Sequence, residues 1–299
     1  MTTLTNQPLI EETISLVDNS YSDYRSYPVD TSCSVDTSCS ADTSYAVDKS
    51  YPVDTSYPVD KSYKRPRICA IEGNIGAGKT TIFNKLKNYY AVHNPKVVFM
   101  PEPVEIWETI RDSSGKTILE KFYADPKYAF SFQIMAYSTR LAMLRKTIRD
   151  HPDCELIICE RSLEADRNIF AKMLFESGKI EDVEFQIYEL LFQDTAAEFP
   201  LNAIVYIDSS AETCFRRVGQ RARVGESVIP LDYLQNCCAY YNAWILGSSN
   251  VEEVSSPPTK LSPKLLHLDT NADVTYNESD PTDYGNQWIS QVIDFVKTL

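Results

Sequence analysis

Histidine is scarce in this chain, with only His93, His151 and His267 among 299 residues, and the eight cysteines form no paired CxxC spacings. Both facts argue against a structural zinc site, whose ligands come in closely spaced pairs. The thiols therefore read as ordinary cysteines of a reducing compartment. No apolar run approaches the roughly 18 residues that a membrane-spanning helix needs, so no membrane partner is expected. A basic start followed by an apolar segment is also missing, and the first Arg and Lys are Arg25 and Lys49. Neither a secretory signal nor a mitochondrial transit peptide is expected, and the cytoplasm is the expected location. Basic residues are outnumbered, 29 against 42 acidic ones, for a formal net charge of −13. That balance disfavours a sequence-independent grip on nucleic-acid backbones. A small phosphorylated ligand stays open, because a local loop can bind one whatever the overall sign.

What is present is the profile of a soluble globular protein, 43% hydrophobic and 24% charged. A chain of this length can bury a sizeable core without disulfides. Residues 27–62 are six consecutive copies of a six-residue unit (YPVDTS, CSVDTS, CSADTS, YAVDKS, YPVDTS, YPVDKS), and 21–26 resemble a decayed seventh. Their Ser, Asp and Pro content and their lack of an apolar face predict a disordered tail over 1–64. Six hexads would make only two coils of a β-helix, without caps, so that reading is rejected.

The composition changes at Arg65, and 65–299 reads as one catalytic-sized domain. Short apolar runs at 68–72, 97–100, 155–160, 203–208 and 265–269 alternate with amphipathic stretches at about 79–90, 127–150, 163–177, 182–197, 210–222 and 230–245. Strands separated by helices imply parallel crossovers: an α/β fold of three layers, with about five mostly parallel strands and helices on both faces. Ligands of such sheets bind at the C-terminal strand ends. A Ser/Pro-rich insertion occupies roughly 248–263.

The first strand runs into Gly73, Asn74, Ile75, Gly76, Ala77, Gly78, Lys79 and Thr80, a full GxxxxGK[ST] phosphate loop between a strand and a helix. Its glycines let the backbone N–H groups turn inward onto phosphates, and the helix N-terminus adds partial positive charge. Lys79 suits the β and γ oxygens of a nucleoside triphosphate, and the Thr80 hydroxyl suits Mg²⁺. Asp112-Ser113-Ser114-Gly115 matches the DxxG of GTPases, but it follows no strand and no NKxD follows it. The second and third strands end in Glu102 (Pro101-Glu102-Pro103-Val104) and in Glu160-Arg161-Ser162, so two carboxylates project at the rim that carries the loop. Gln133, Ala136 and Arg140 are spaced i, i+3, i+7 and share one helix face.

In order along 67–245 stand GNIGAGKTT, EPVxxW, FQxxAxxxR, ERSxxxDRxIFA and RxRxxES followed by IPLDYL. Together they resemble the deoxycytidine/deoxyguanosine kinase family of deoxyribonucleoside kinases, and only the tail and the 248–263 insertion fall outside the match. The resemblance implies a P-loop fold that transfers the γ-phosphate of ATP to the 5′-hydroxyl of a deoxyribonucleoside, with Mg²⁺. It implies Glu102 as general base, Arg161 as the group that steadies it and the phosphoryl, Lys79 on the phosphates, and Glu160 with Thr80 on the metal. Gln133 would pair with the base edge and Arg140 with Asp166 beside it. Phe170 would stack on the base, and Trp107 and Phe132 would line its pocket. Tyr123 and Glu226 would hold the sugar 3′-hydroxyl, Tyr123 also crowding out a ribose. Arg217, Arg221 and Arg223 would form a lid over the ATP phosphates, since arginine forks bind phosphate bidentately. The Asp269–Asp273 segment would lie near the adenine. Thymidine-accepting members lack the Arg/Asp pair, so this chain is expected to favour deoxycytidine, deoxyadenosine or deoxyguanosine. A homodimer and feedback inhibition by a deoxynucleoside triphosphate are also implied.

Between Tyr123 and Gln133 the chain is one residue shorter than the family pattern. The rival readings are a nucleoside monophosphate kinase, which wants a DR-type motif where Glu160-Arg161-Ser162 stands, and a non-catalytic P-loop protein whose working part is the tail. Intact Lys79, Glu102 and Arg161 speak against the second.

Overall fold

A computed structural model describes residues 65–196, 198–221, 229–247, 262–277, 279–280 and 282–299, all within the unit Val59–Leu299. The hexapeptide repeat, Arg223, Glu226 and most of the 248–263 insertion lie outside the described residues.

Strands β1 (Arg67–Gly73), β2 (Val97–Met100), β3 (Leu156–Glu160), β4 (Ala203–Asp208) and β5 (Lys264–Asp269) form one sheet in the order β2-β3-β1-β4-β5. Every pairing is parallel. Parallel strands covered on both faces read as continuous apolar runs, and β1, β3 and β4 are buried almost throughout, whereas the edge strand β5 is largely exposed. All five expected runs are strands.

Helix α1 (Lys79–His93) follows β1 directly, with Gly78 at its N-cap. The helices α2 (Val104–Thr109) and α3 (Ile118–Ala124) follow β2, and α4 (Ala129–Asp150) precedes β3. After β3, α5 (Leu163–Ala165) passes through a π-helical turn (Asp166–Ala171) into α6 (Lys172–Glu176). The remaining helices are α7 (Asp182–Ala196), α8 (Ala211–Arg221), α9 (Leu231–Leu246) and α10 (Tyr284–Lys297).

Side chains of one strand alternate between faces. Cys69 and Ile71 join Val205 and Ile207 against Phe83 and Leu86 of α1 and Val292 and Val296 of α10. Ile68 and Ala70 join Ile157 and Cys159 against Tyr137 and Leu141 of α4 and Tyr188 of α7. These are the expected three layers.

The sequence pattern departs from the structure in local places. The expected stretch 127–150 begins as a helix only at Ala129, because Asp125 accepts from the Lys127 amide and Pro126 opens a 3-10 turn. The stretch 163–177 is interrupted by the π turn, which widens the spiral where two cleft residues sit. Helices α2 and α3 span six and seven residues, too few for a 3.6-residue period to declare itself. A capping box starts α3, with Thr117 and Glu120 satisfying each other's amides.

Candidate active site

β1 lies between β3 and β4, so the chain reverses direction across the sheet at β1 and opens a crevice beyond its C-terminal end. The phosphate loop sits there. Gly73 has φ +148° and a Cβ on it would meet the Ile207 carbonyl oxygen at 2.4 Å. Gly76 has φ +83° and its Cβ would meet the Cys214 carbonyl at 2.6 Å. Only glycine fits either position. Asn74 ties the loop to α9: its Nδ2 donates to the Leu234 carbonyl at 2.8 Å and to Cys238 Sγ at 3.0 Å, and its Oδ1 accepts from the Ile75 amide at 2.7 Å.

Two clefts meet at this loop, sharing Gly76, Lys79 and Arg221. The first spans about 710 Å³, its open mouth included, and is walled by Trp107, Phe122, Tyr123, Phe132, Phe170 and Tyr233. Its polar groups converge from separate elements: Glu102 beyond β2, Gln133 and Arg140 on α4, Glu160 and Arg161 at the end of β3, and Asp166 on the π turn. A mostly aromatic wall with a few placed polar groups suits a flat organic ligand. Trp107 is held by its Nε1 donating to Thr139 Oγ1 at 2.9 Å, and it meets the Phe132 ring edge-on. Gln133 is buried and lines this cleft. The second cleft, of about 1210 Å³, is lined by Ala77–Thr81, Arg217, Gln220, Thr270, Asp273, Val274, Tyr276 and Trp288.

Glu102 lines the first cleft, close enough to Lys79 of the shared loop to act on its charge. Its Oε1 accepts from Arg161 Nε at 3.1 Å and from Arg140 Nη2 at 3.5 Å. Arg140, 1% exposed, also donates from Nε to Asp166 Oδ2 at 2.8 Å and from Nη1 to the Glu160 carbonyl at 2.8 Å. Arg161 donates from Nη1 to the Gly73 carbonyl at 3.0 Å, and its guanidinium lies over the Phe170 ring at 4.8 Å. Thr80 Oγ1 donates to Glu160 Oε1 at 2.6 Å, which sets two hard oxygen ligands side by side. Lys79 is buried, donates to the Asn74 carbonyl at 2.8 Å, and has its pKa lowered to about 8 by burial and by the nearby Arg161 charge.

The site residues expected from the sequence are thus brought together wherever they are described. Arg217 is more constrained than a swinging lid residue. Its guanidinium donates to the Thr270 and Ala272 carbonyls at 3.0 Å and to Ser209 Oγ at 3.2 Å, while it lines the second cleft. Arg216 pairs with Asp273 through both Nη atoms, at 2.8 and 2.9 Å.

Sequence reasoning missed Glu72, Tyr233, Tyr241, Gln220, Tyr276 and Trp288. Tyr233, on α9, shares the first cleft's wall with Tyr123. Glu72 carried a usable signal, since it is an acid at a C-terminal strand end, as Glu160 is. The aromatic residues carried none, because Tyr233, Tyr276 and Trp288 reach the clefts, and Tyr241 reaches Arg161, from parts of the chain distant in sequence.

A carboxylate clasped by guanidinium groups, in an aromatic cleft that opens onto a phosphate cradle, can take a proton from a ligand hydroxyl facing the cradle. A family model described as deoxynucleoside kinase matches residues 68–294. Deoxycytidine kinase 2 of Gallus gallus is 32% identical over 236 residues, covering 70% of this chain and 84% of the relative. A probable deoxycytidine kinase of fowlpox virus is 31% identical over 235 residues, covering 77% and 88%. The mitochondrial deoxyguanosine kinase of Xenopus laevis is 28% identical over 236 residues, covering 73% and 86%.

Proposed function

The chain belongs to the deoxynucleoside kinase family and is a phosphotransferase, and from that premise we propose how its own residues divide the work. The first cleft takes a deoxynucleoside and the second takes ATP. Glu102 accepts the proton of the 5′-hydroxyl as that oxygen attacks the γ-phosphorus and ADP leaves in line. The observation that carries this reading is the position of Glu102, held by Arg161 and Arg140 in the wall of the first cleft, which shares Lys79 and Arg221 with the second. Phosphoryl transfer needs mostly positioning and charge neutralisation. Arg161 and Lys79 supply positive charge beside the transferring group, and the loop amides orient the β-phosphate.

Thr80 and Glu160 would hold a Mg²⁺, since they offer two oxygen ligands side by side and no closed cage. When bound, that ion would neutralise charge building on the β and γ oxygens. Among the described residues no cluster of three or more His, Cys, Asp or Glu forms a closed metal site.

In the nucleoside cleft the Gln133 amide, a donor and an acceptor, pairs with the base edge, and Phe170 stacks on its face. The Arg140–Asp166 pair lies where the 5-methyl of thymine would fall, favouring deoxycytidine and the purine deoxynucleosides. Tyr123 limits room beside the sugar, and Glu226 and Arg223 are assigned to the 3′-hydroxyl and to the lid from the sequence. The direct test is ATP-dependent phosphorylation of deoxyadenosine, deoxyguanosine, deoxycytidine, thymidine and adenosine side by side. Turnover of one of the first three supports the assignment. Activity on none, or mainly on monophosphates, rejects it.

The depressed Lys79 pKa has a measurable consequence. Polyphosphate favours the charged ammonium, so donor binding near pH 8 is expected to take up protons. Above pH 8 the affinity should fall, by up to about tenfold per pH unit. Without ligand the sign is opposite, and this group adds stability as pH rises from about 8 towards 10.5, because the unfolded chain then binds more protons. Calorimetry in buffers of different ionisation enthalpy reads the uptake; buffer-independent heats would remove Lys79 from this role.

We further propose that two copies associate through α7, where Val183, Ile187 and Leu190 are 59%, 50% and 69% exposed along one face. The double change Ile187→Glu/Leu190→Glu is expected to convert a dimer to a monomer in sedimentation equilibrium. An unchanged mass for the variant would place the interface elsewhere. Among the described residues no helix is long and apolar enough to cross a membrane. The expected location remains the cytoplasm.

A further inference from the structure

Arg161 has φ +65°, in the left-handed region that side chains with a Cβ seldom adopt. Such a conformation costs about 1–2 kcal/mol and persists only where the surroundings over-determine it. The Arg161 amide donates to the Ile71 carbonyl at 3.1 Å. The next amide, Ser162 N, donates to Glu72 Oε1 at 2.8 Å, and Ser162 Oγ donates to the same oxygen at 2.7 Å. At the far end of the side chain, Arg161 Nη1 donates to the Tyr241 hydroxyl oxygen. That hydroxyl donates onward to the other oxygen, Glu72 Oε2, at 3.3 Å. One carboxyl group therefore grips Arg161 from both ends: through the Ser162 peptide it fixes the backbone turn, and through Tyr241 it fixes the guanidinium. The Nε of Arg161 is left aimed at Glu102.

Glu72 is 0% exposed and lines neither cleft, so it does not touch substrate. Burying an acid is costly, and burial pushes this carboxyl above its usual range, opposed by the Arg161 charge and the Ser162 hydrogen bonds. Every group directed at it is a donor. A glutamine there would turn an NH₂ towards one of those donors and leave it unmatched. Tyr241, also 0% exposed, is the only bridge from Glu72 to the guanidinium among the described residues.

We propose that Glu72 and Tyr241 are positioning residues that hold Arg161 and, through it, align Glu102 with the transferring phosphoryl group. This rests on the kinase reading above. The test is a mutant cycle on the purified full chain with ATP and its best nucleoside. Tyr241→Phe keeps the ring and is expected to lower kcat by about 10- to 100-fold, as small misalignments do. Nucleoside KM should stay within about twofold, because the aromatic wall is untouched. In the Arg161→Lys background the same Tyr241→Phe change should have almost no further effect on kcat, since the group being positioned is gone. Glu72→Gln should follow the same pattern with a larger loss; should it fail to fold, the Tyr241→Phe cycle alone decides.

An equal loss in both backgrounds overturns the proposal, because the pair then acts through something other than Arg161. A lowered melting temperature with unchanged kcat also overturns it, leaving a packing role. Absence of turnover in the unmodified chain is a separate result: it rejects the kinase reading itself and the positioning role with it.

Discussion

Glu102→Gln is expected to lower kcat by about 10²- to 10⁴-fold, the usual range for loss of a general base, while nucleoside affinity stays nearly unchanged. The change is nearly isosteric and removes the carboxylate's charge, and with it the capacity to take the proton. The fold should tolerate it, because neither guanidinium at Glu102 depends on that carboxylate alone. Arg140 keeps Asp166 and the Glu160 carbonyl, and Arg161 keeps the Gly73 carbonyl and Tyr241. Glutamine can still accept from Arg161 through its carbonyl oxygen, so the cleft wall keeps its shape. Steady-state kinetics beside calorimetric nucleoside binding separates the two effects. A variant turning over within about threefold of the unmodified chain removes Glu102 as the base. Equal losses in binding and in kcat would instead make it a substrate-holding group.

The second large effect concerns the buried Arg140–Asp166 pair. Asp166→Ala alone leaves the Arg140 guanidinium, 1% exposed, without its closest carboxylate. Breaking a buried pair in this way costs about 3–5 kcal/mol. Glu102 lies 3.5 Å from Arg140 and offsets part of that loss. The double change Arg140→Met/Asp166→Ala removes both charges and is expected to recover much of the stability, read as the midpoint of denaturant unfolding. It also clears polar atoms from the side of the base. Thymidine kcat/KM should then rise relative to deoxycytidine by about 10- to 100-fold, the scale on which a few side-chain contacts discriminate. If thymidine stays excluded in a well-folded double variant, another part of the cleft selects the base. A double variant no more stable than Asp166→Ala would mean that the pair is held mainly by its other hydrogen bonds.

Much of the fold and of the site was legible along the chain. Each strand core was visible as an apolar run, because parallel strands covered on both faces must be apolar on both. The phosphate loop was visible because its backbone demands glycine at Gly73 and Gly76. Glu102 and Glu160 stood out as acids where a strand stops. The i, i+3, i+7 spacing put Gln133, Ala136 and Arg140 on one helix face, and all three line the first cleft.

Strand order was not legible, since five similar apolar runs carry no record of their neighbours; the placement of β1 between β3 and β4 follows from packing across the whole chain. The short helices α2 and α3 are too brief to show a period, and the π turn that carries Asp166 and Phe170 has no marker in the residue pattern. The grip of Glu72 on Arg161 depends on residue 241, some 80 positions further along, and on a backbone conformation no residue pattern announces. In this protein, groups whose role is local backbone geometry or strand-end chemistry could be read from the amino acids in order. That Glu72 and Tyr241 hold another group in place became visible only when folding brought β1, β3 and α9 together, because a positioning contact is a relation between distant residues and belongs to neither sequence neighbourhood.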